Sequence, residues 1–276
     1  MLMRNPGFIQ GIEVKKTIVN GVEIAYRIFG NGHPLIMIMG FGGIMEVWQP
    51  DLLEQLSQNY RVIIFDNRGI GESTADEREI TIELFAQDTA ELMDTLNIDK
   101  AHIMGFSMGS MISLQTAIDF PDKIDRLVLY AAECGGKESV PHSKDVWNLL
   151  GDNTIPLEEK HKKTLKVLLP EKWRNEHPDP AEYFPPVSKA VSMESLDQQF
   201  RAIIKWKGCY DRLDSIDKLT LLVTGVEDIC LSPKNSFIIG ERIPCSWVVQ
   251  LPGCGHGMMY QEPGKLFEVV HTFLEI

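Results

Sequence analysis

Cysteine is scarce in this sequence. Five residues (Cys134, Cys209, Cys230, Cys245 and Cys254) are spread over 276, an odd number with no C-x-x-C pair. A disulfide framework has no support in that count and spacing, so a reducing compartment is expected. Only Cys254-Gly255-His256 sets a cysteine near a histidine, far short of the roughly four ligands of a structural zinc. No metal or organic cofactor is expected. Long apolar runs are also missing. The longest, Leu35 to Met45, is interrupted by Gly40, Gly42 and Gly43 and falls well below the roughly 20 residues needed to span a bilayer. The opening Met1-Leu2-Met3-Arg4-Asn5-Pro6 lacks the apolar core of a secretory signal, and a cytoplasmic protein is expected. Positive charge is in deficit: 27 Lys and Arg against 39 Asp and Glu give a net charge of −12. Such a field repels phosphate backbones and anionic headgroups, so neither nucleic acid nor a membrane surface is an expected partner.

What is present reads as a folded α/β protein. With 44% hydrophobic and 24% charged residues, the chain has material for one large domain, or one domain carrying an insert. Val14 to Val19 and Val22 to Phe29 flank Asn20-Gly21, a pair that favours the positive φ angles of a type I′ hairpin turn. Leu35 to Met39 and Arg61 to Phe65 are apolar without alternation, as for strands buried on both faces. Between them Pro50 opens a short helical stretch over Asp51 to Gln58. Ile82 to Leu96 has helical periodicity, with Leu84, Phe85, Leu92, Met93 and Leu96 largely on one face. Ala101 to Met104 reads as strand, Met108 to Phe120 as helix stopped by Pro121, and Leu127 to Tyr130 as strand. This alternation predicts a mostly parallel sheet covered by helices on both sides.

Glycine then nearly disappears. Residues 137–207 hold only Gly151, while seven of the 15 prolines fall between Pro141 and Pro186. Strand-like runs are absent, and stretches rich in Lys and Glu alternate with Pro-Asp-Pro and Phe-Pro-Pro breaks. Residues 136–212 are therefore expected to form a helical cap or lid. They would be inserted into a discontinuous core of residues 1–135 and 213–276. The α/β pattern resumes with strand Leu219 to Thr224, a helix near Asn235 to Gly240, strand Ser246 to Leu251 and a closing helix from about Pro263 to Leu274.

Gly105-Phe106-Ser107-Met108-Gly109 has the G-x-S-x-G pattern. Three fixed positions are weak evidence alone, but a strand enters this motif and a helix leaves it. A nucleophile elbow requires that strand–turn–helix setting. A serine nucleophile also needs a base, and the base an orienting carboxylate. His142, His161 and His177 lie in the polar, Pro-rich insertion and read as solvated, and His271 reads as a structural residue of the last helix. His256 instead sits in a loop of small residues, Pro252-Gly253-Cys254-Gly255-His256-Gly257, directly after a strand. For the acid, Asp228 follows strand Leu219 to Thr224 at its carboxyl end, where open sheets of this kind collect functional groups. Glu133, after strand Leu127 to Tyr130, is a second candidate. Gly40-Phe41-Gly42-Gly43 ends the first buried strand, and glycines let a ligand oxygen approach backbone N–H groups. The amides of Phe41 and Met108 are the candidate oxyanion hole.

Four motifs stand in one order: Met39-Gly40-Phe41-Gly42-Gly43, Asp66-Asn67-Arg68-Gly69-Ile70-Gly71-Glu72-Ser73, Gly105-Phe106-Ser107-Met108-Gly109 and Gly255-His256. The set resembles the α/β-hydrolase superfamily over residues 10–135 and 215–276. The resemblance implies Ser107 as nucleophile, His256 as general acid/base, Asp228 as third triad member, and Phe41 and Met108 as oxyanion donors. It also implies that the Asp66–Ser73 run braces the site and that the insertion is a cap. Many relatives carry His-Gly where this chain has Met39-Gly40, which removes a polar group beside the oxyanion loop. Relatives that cleave carbon–halogen bonds or epoxides carry aspartate at the elbow, so Ser107 argues against both.

The expected activity is a serine carboxylic-ester hydrolase, carboxylesterase-like, acting on a small or medium, mainly apolar ester or a lactone. Thioester, carbon–carbon, aminopeptidase and perhydrolase chemistry share the same machinery, and a ligand-binding protein on this scaffold is the reading from another class. Met37, Met39, Met45, Met104, Met108, Met111, Met258 and Met259 surround the motifs, either packing the core or forming an adaptable apolar pocket. Trp147, Trp173, Phe184, Phe200 and Trp206 face the same choice. An anionic substrate would meet net repulsion unless Lys163, Lys166 or Arg201 reversed it locally. Glu182 and Glu194 are the cap carboxylates that an aminopeptidase would use.

Overall fold

A computed structural model describes residue 5 and residues 7–152, 154–189 and 191–276. Met1–Arg4 and Pro6, which carried most of the reading of the chain's opening, lie outside the described residues. The chain opens with an antiparallel hairpin, β1 (Lys15–Val19) and β2 (Val22–Phe29). Its turn places Asn20 at φ 45° and Gly21 at φ 79°, the two left-handed residues that a type I′ turn demands. β3 (His33–Ile38) is followed by α1 (Pro50–Leu56) and β4 (Tyr60–Phe65). Then come α2 (Ile82–Thr95), β5 (Ala101–Phe106), α3 (Met108–Asp119) and β6 (Ile124–Tyr130). α1 begins on Pro50, with Gln49 capping it by accepting from the Leu52 amide, and it ends two residues short of the expected Gln58.

Between β6 and the next strand lie α4 (Lys144–Gly151), α5 (Leu157–Leu168), α6 (Glu171–Glu176) and α7 (Met193–Lys205). No strand occurs among the described residues from Ala131 to Lys218. The return to the sheet is fastened where Trp206 donates from Nε1 to Gln115 Oε1 of α3, at 3.2 Å. The chain closes with β7 (Leu219–Gly225), α8 (Lys234–Gly240), β8 (Ser246–Leu251), α9 (Met258–Gln261) and α10 (Pro263–Leu274).

The eight strands form one sheet in the order β1-β2-β4-β3-β5-β6-β7-β8. β1, β2 and β4 pair antiparallel, and every pairing from β4 through β8 is parallel. One apolar cluster packs α2 and α3 on one face through Phe85, Leu92, Met111 and Ile112. The other packs α1 and α10 on the opposite face through Leu52, Leu53, Leu266 and Val270. β5 is buried along its whole length because it lies inside the sheet between both layers. β8 is an edge strand, and Trp247 there is 47% exposed. All eight methionines near the motifs are buried. Among the described residues, no helix is long and apolar enough to cross a membrane.

Candidate active site

The turn between β5 and α3 is built by glycines. A Cβ on Gly105 would collide with the Gly109 carbonyl and Ser113 Oγ, and one on Gly109 with the Ile38 carbonyl. Strand, helix and the neighbouring β3 therefore approach more closely than any side chain would allow. Between the glycines Ser107 sits at φ 55° and ψ −119°. That left-handed φ costs an L-residue about 1–3 kcal/mol and persists only where the surroundings impose it. Here the Ser107 amide donates to the Tyr130 carbonyl of β6 at 2.9 Å. Met108 is the first residue of α3, so its N–H has no partner four residues earlier and is available to an anion.

His256 follows β8 in the loop before α9. Tyr130 fixes that loop: its hydroxyl donates to the His256 carbonyl at 2.8 Å and accepts from the Met259 amide at 3.0 Å. The imidazole lies against the ring of Phe106, the residue before Ser107, with centroids 5.0 Å apart. Its Nδ1 is 2.8 Å from Asp228 Oδ2, and both side chains are buried. Asp228 Oδ1 accepts from the Cys230 and Leu231 amides, each at 2.8 Å. The carboxylate is thus fixed by its own loop and can hold the proton on Nδ1, leaving Nε2 as the basic nitrogen. Burial alone would lower the histidine's pKa, but Asp228 and the Cys230 thiol hold it well above its ordinary value.

Glu133, the other candidate acid, lies elsewhere: its Oε1 is 3.1 Å from His142 Nε2. The expectation that His142 is solvated is corrected, because its side chain is only 8% exposed. It is enclosed by Glu133, the Trp147 ring at 4.5 Å, and Cys230. Burial opposes its charge, yet bonds to Cys230 and Glu133 push its pKa up to about 9. Cys230 interacts with both His142 and His256, which hold its thiol below the ordinary range against the effect of burial. The other histidines stay apart: His161 is exposed, His177 stacks on Trp173, and His271 Nδ1 is 2.9 Å from the Tyr60 hydroxyl.

The glycine loop after β3 packs against the elbow, where a Cβ on Gly40 would come within 3.1 Å of Ser107 Cβ. The Gly42 amide donates to Gln199 Oε1 of α7 at 2.8 Å, and the Phe41 ring meets Phe200 at 6.4 Å. Phe200 continues into an open groove of about 710 Å³ between α4 and α7, lined by Trp147, Asn148, Gly151, Asp152, Phe200 and Ile204. Beneath the loop, Asp66 accepts from the Met45 and Glu72 amides, and Ser73 Oγ donates to the Asp66 carbonyl. Burial pushes the Asp66 carboxyl up to about 6 against those two bonds. Arg68 pairs with buried Asp88 at 2.6 Å. The Asp66–Ser73 run is therefore a brace for the loop.

Sequence reasoning did not single out Gln199 or Cys230. Neither belongs to a motif, and the Gln199 contact spans 157 residues, so local spacing carried no signal for it.

A family model for the alpha/beta hydrolase fold matches residues 33–160. The chain is 27% identical over 248 residues to a protein of Caulobacter vibrioides named for carbamate hydrolysis, RutD, covering 87% of this chain and 90% of that one. In structure it is similar to a hydrolase from Pseudomonas aeruginosa PA01, with TM-score 0.83, 23% identity and coverage of 96% and 99%. It is also similar to a thermophilic esterase from Thermogutta terrifontis, with TM-score 0.82, 23% identity and coverage of 95% and 98%. At these identities the structural likeness is one of fold.

Proposed function

We propose that this chain, which has the α/β-hydrolase fold, is a serine hydrolase of small or medium, mainly apolar carboxylic esters or lactones. The observation that carries the reading is the left-handed backbone of Ser107 at the elbow, one residue from a phenylalanine ring packed on the buried His256–Asp228 pair. Ser107 Oγ attacks the ester carbonyl while His256 Nε2 takes its proton. Asp228 keeps the imidazole in the tautomer that presents Nε2 and stabilises the imidazolium. The Phe41 and Met108 amides receive the oxyanion. His256 then returns the proton to the departing alkoxide, leaving an acyl-Ser107 ester. Water, activated by the same imidazole, hydrolyses that ester and restores the serine.

Residues 136–212 act as the cap over a core of residues 1–135 and 213–276. Two of the three cap cations weighed as anchors for an anionic substrate are already engaged: Lys163 pairs with Glu159 and Arg201 with Asp197, each at 2.8 Å. With a net charge of −12, that supports a neutral substrate. The apolar groove beside Phe200 is a suitable place for its acyl or alcohol chain.

The test is labelling by a fluorophosphonate, followed by turnover on matched ester, lactone, thioester and carbamate substrates. One label per chain on Ser107 and fastest turnover of the oxygen esters are expected, with both lost in Ser107→Ala. Hydrolysis by Ser107→Ala at the full rate overturns the assignment. Labelling without turnover of any substrate assigns the chain to ligand binding instead. Preference for the carbamate would align its activity with the name of the Caulobacter relative.

A further inference from the structure

Three chemistry-bearing side chains meet at the amino end of the sheet, opposite the end that holds Ser107. His33 opens β3, His102 is the second residue of β5, and Asp125 the second of β6. These strands are adjacent in the sheet. The β5–β6 register is irregular between Ala101 and Ile103, with His102 at the irregularity, and such irregularities re-aim side chains. Asp125 Oδ2 lies 3.2 Å from His33 Nε2 and 3.6 Å from His102 Nδ1. The imidazole centroids are 4.3 Å apart, and one donor atom from each of the three residues lies within 4.8 Å of the others.

A hydrogen-bonded charge cluster would leave none of these nitrogens unpaired, yet His102 Nδ1 is buried without a hydrogen-bond partner among the described residues. An unpaired buried nitrogen costs free energy and calls for an explanation. A metal ion supplies one. Tetrahedral zinc, with bonds of about 2.0–2.1 Å, separates its donors by about 3.3 Å. The two measured distances to Asp125 match that edge. The remaining edge closes by rotation of His33, whose side chain is 42% exposed.

We propose that His33, His102 and Asp125 form a divalent transition-metal site, suited to Zn²⁺, whose fourth position is filled by solvent water. Two imidazoles and one carboxylate favour zinc over the all-oxygen coordination of magnesium or calcium. The bound ion clamps β3, β5 and β6 together at the end of the sheet remote from Ser107, so its effect falls on stability.

The experiment uses the full chain stripped with EDTA and titrated with ZnCl₂ by calorimetry, with melting followed in parallel. One equivalent bound and a rise in Tm are expected. Cobalt substitution should give the visible bands of tetrahedral Co²⁺. His33→Ala and Asp125→Asn lie at half-exposed positions and should fold, yet each should weaken zinc by about tenfold or more and remove the cobalt bands. Cys230→Ser should leave this binding intact. Absence of binding at millimolar zinc overturns the proposal. So does binding that survives His33→Ala and Asp125→Asn but is lost in Cys230→Ser.

Discussion

Gln199 Oε1 accepts a 2.8 Å hydrogen bond from the Gly42 amide, so α7 holds the glycine loop next to Ser107. The glutamine is 1% exposed, and its Nε2 has no hydrogen-bond partner among the described residues. Replacing it with Leu removes the tie to Gly42 together with the unpaired nitrogen, and these two changes oppose each other in stability. Gln199→Leu should therefore lower kcat/KM for short esters by about tenfold or more through displacement of the Phe41 amide, while Tm shifts little. Steady-state kinetics beside a thermal melt separates the two effects. An unchanged kcat with only KM raised would place Gln199 in ground-state binding rather than in loop positioning.

The buried His256–Asp228 pair makes a pH prediction with a definite sign. Asp228 and Cys230 raise the imidazole's pKa well above its ordinary value, outweighing burial. A general base works only when deprotonated, so kcat/KM should rise with pH through that raised value. Asp228→Asn removes the main support, so the acidic limb should move to lower pH while the plateau falls by about 10³–10⁴-fold. Cys230→Ser should move the limb in the same direction by a smaller amount. A pH–rate profile of the three proteins on one neutral ester checks this, and a limb that stays fixed in Asp228→Asn contradicts the pairing.

The elements that position this site were legible because their signals are local. Apolar runs without alternation marked β3 and β4, and Asn20-Gly21 marked the first turn. Pro50 and Pro121 marked the start of α1 and the end of α3. Asp228 and His256 could be placed because each follows a strand, and the ends of neighbouring parallel strands meet. His142 was misjudged on composition: its Pro-rich surroundings suggested solvent, but the segment folds back so that Glu133, only nine residues earlier, meets its ring. Gln199, Cys230, His33 and Asp125 were silent for a related reason. Their partners come from distant segments, and only the strand order and the path of the chain between β6 and β7 bring them together.

His102 makes an acid-stability prediction independent of catalysis. Burial first, and then His33, lower its pKa to about 4 from an ordinary 6.5. Between those values the unfolded chain takes up a proton that the folded chain refuses. Stability from this residue is therefore complete above pH 6.5 and is lost as the pH falls toward 4, by about 2–3 kcal/mol. Asp66, raised to about 6 by burial, acts with the opposite sign, but equally in wild type and variant. In metal-free buffer, His102→Gln should narrow the difference in urea stability between pH 7.5 and pH 4.5 by about 2 kcal/mol. An undiminished difference would mean that the folded protein tolerates the His102 cation.

Ser107 itself should trade stability for chemistry. Its φ of 55° is open to glycine without steric cost, whereas any Cβ at that position keeps the strain of about 1–3 kcal/mol. Glycine also makes the unfolded chain more flexible, which gives back about 0.4–1 kcal/mol. Ser107→Ala removes the hydroxyl but keeps the Cβ, so it isolates the loss of the nucleophile from relief of the backbone. Ser107→Gly should thus be more stable than Ser107→Ala by about 1 kcal/mol, with neither variant labelled by a fluorophosphonate. Urea denaturation of the pair measures the difference directly. A Ser107→Gly protein no more stable than Ser107→Ala would show that the bend carries no strain, and would remove the argument that a structure holding Ser107 against its own preference does so for catalysis.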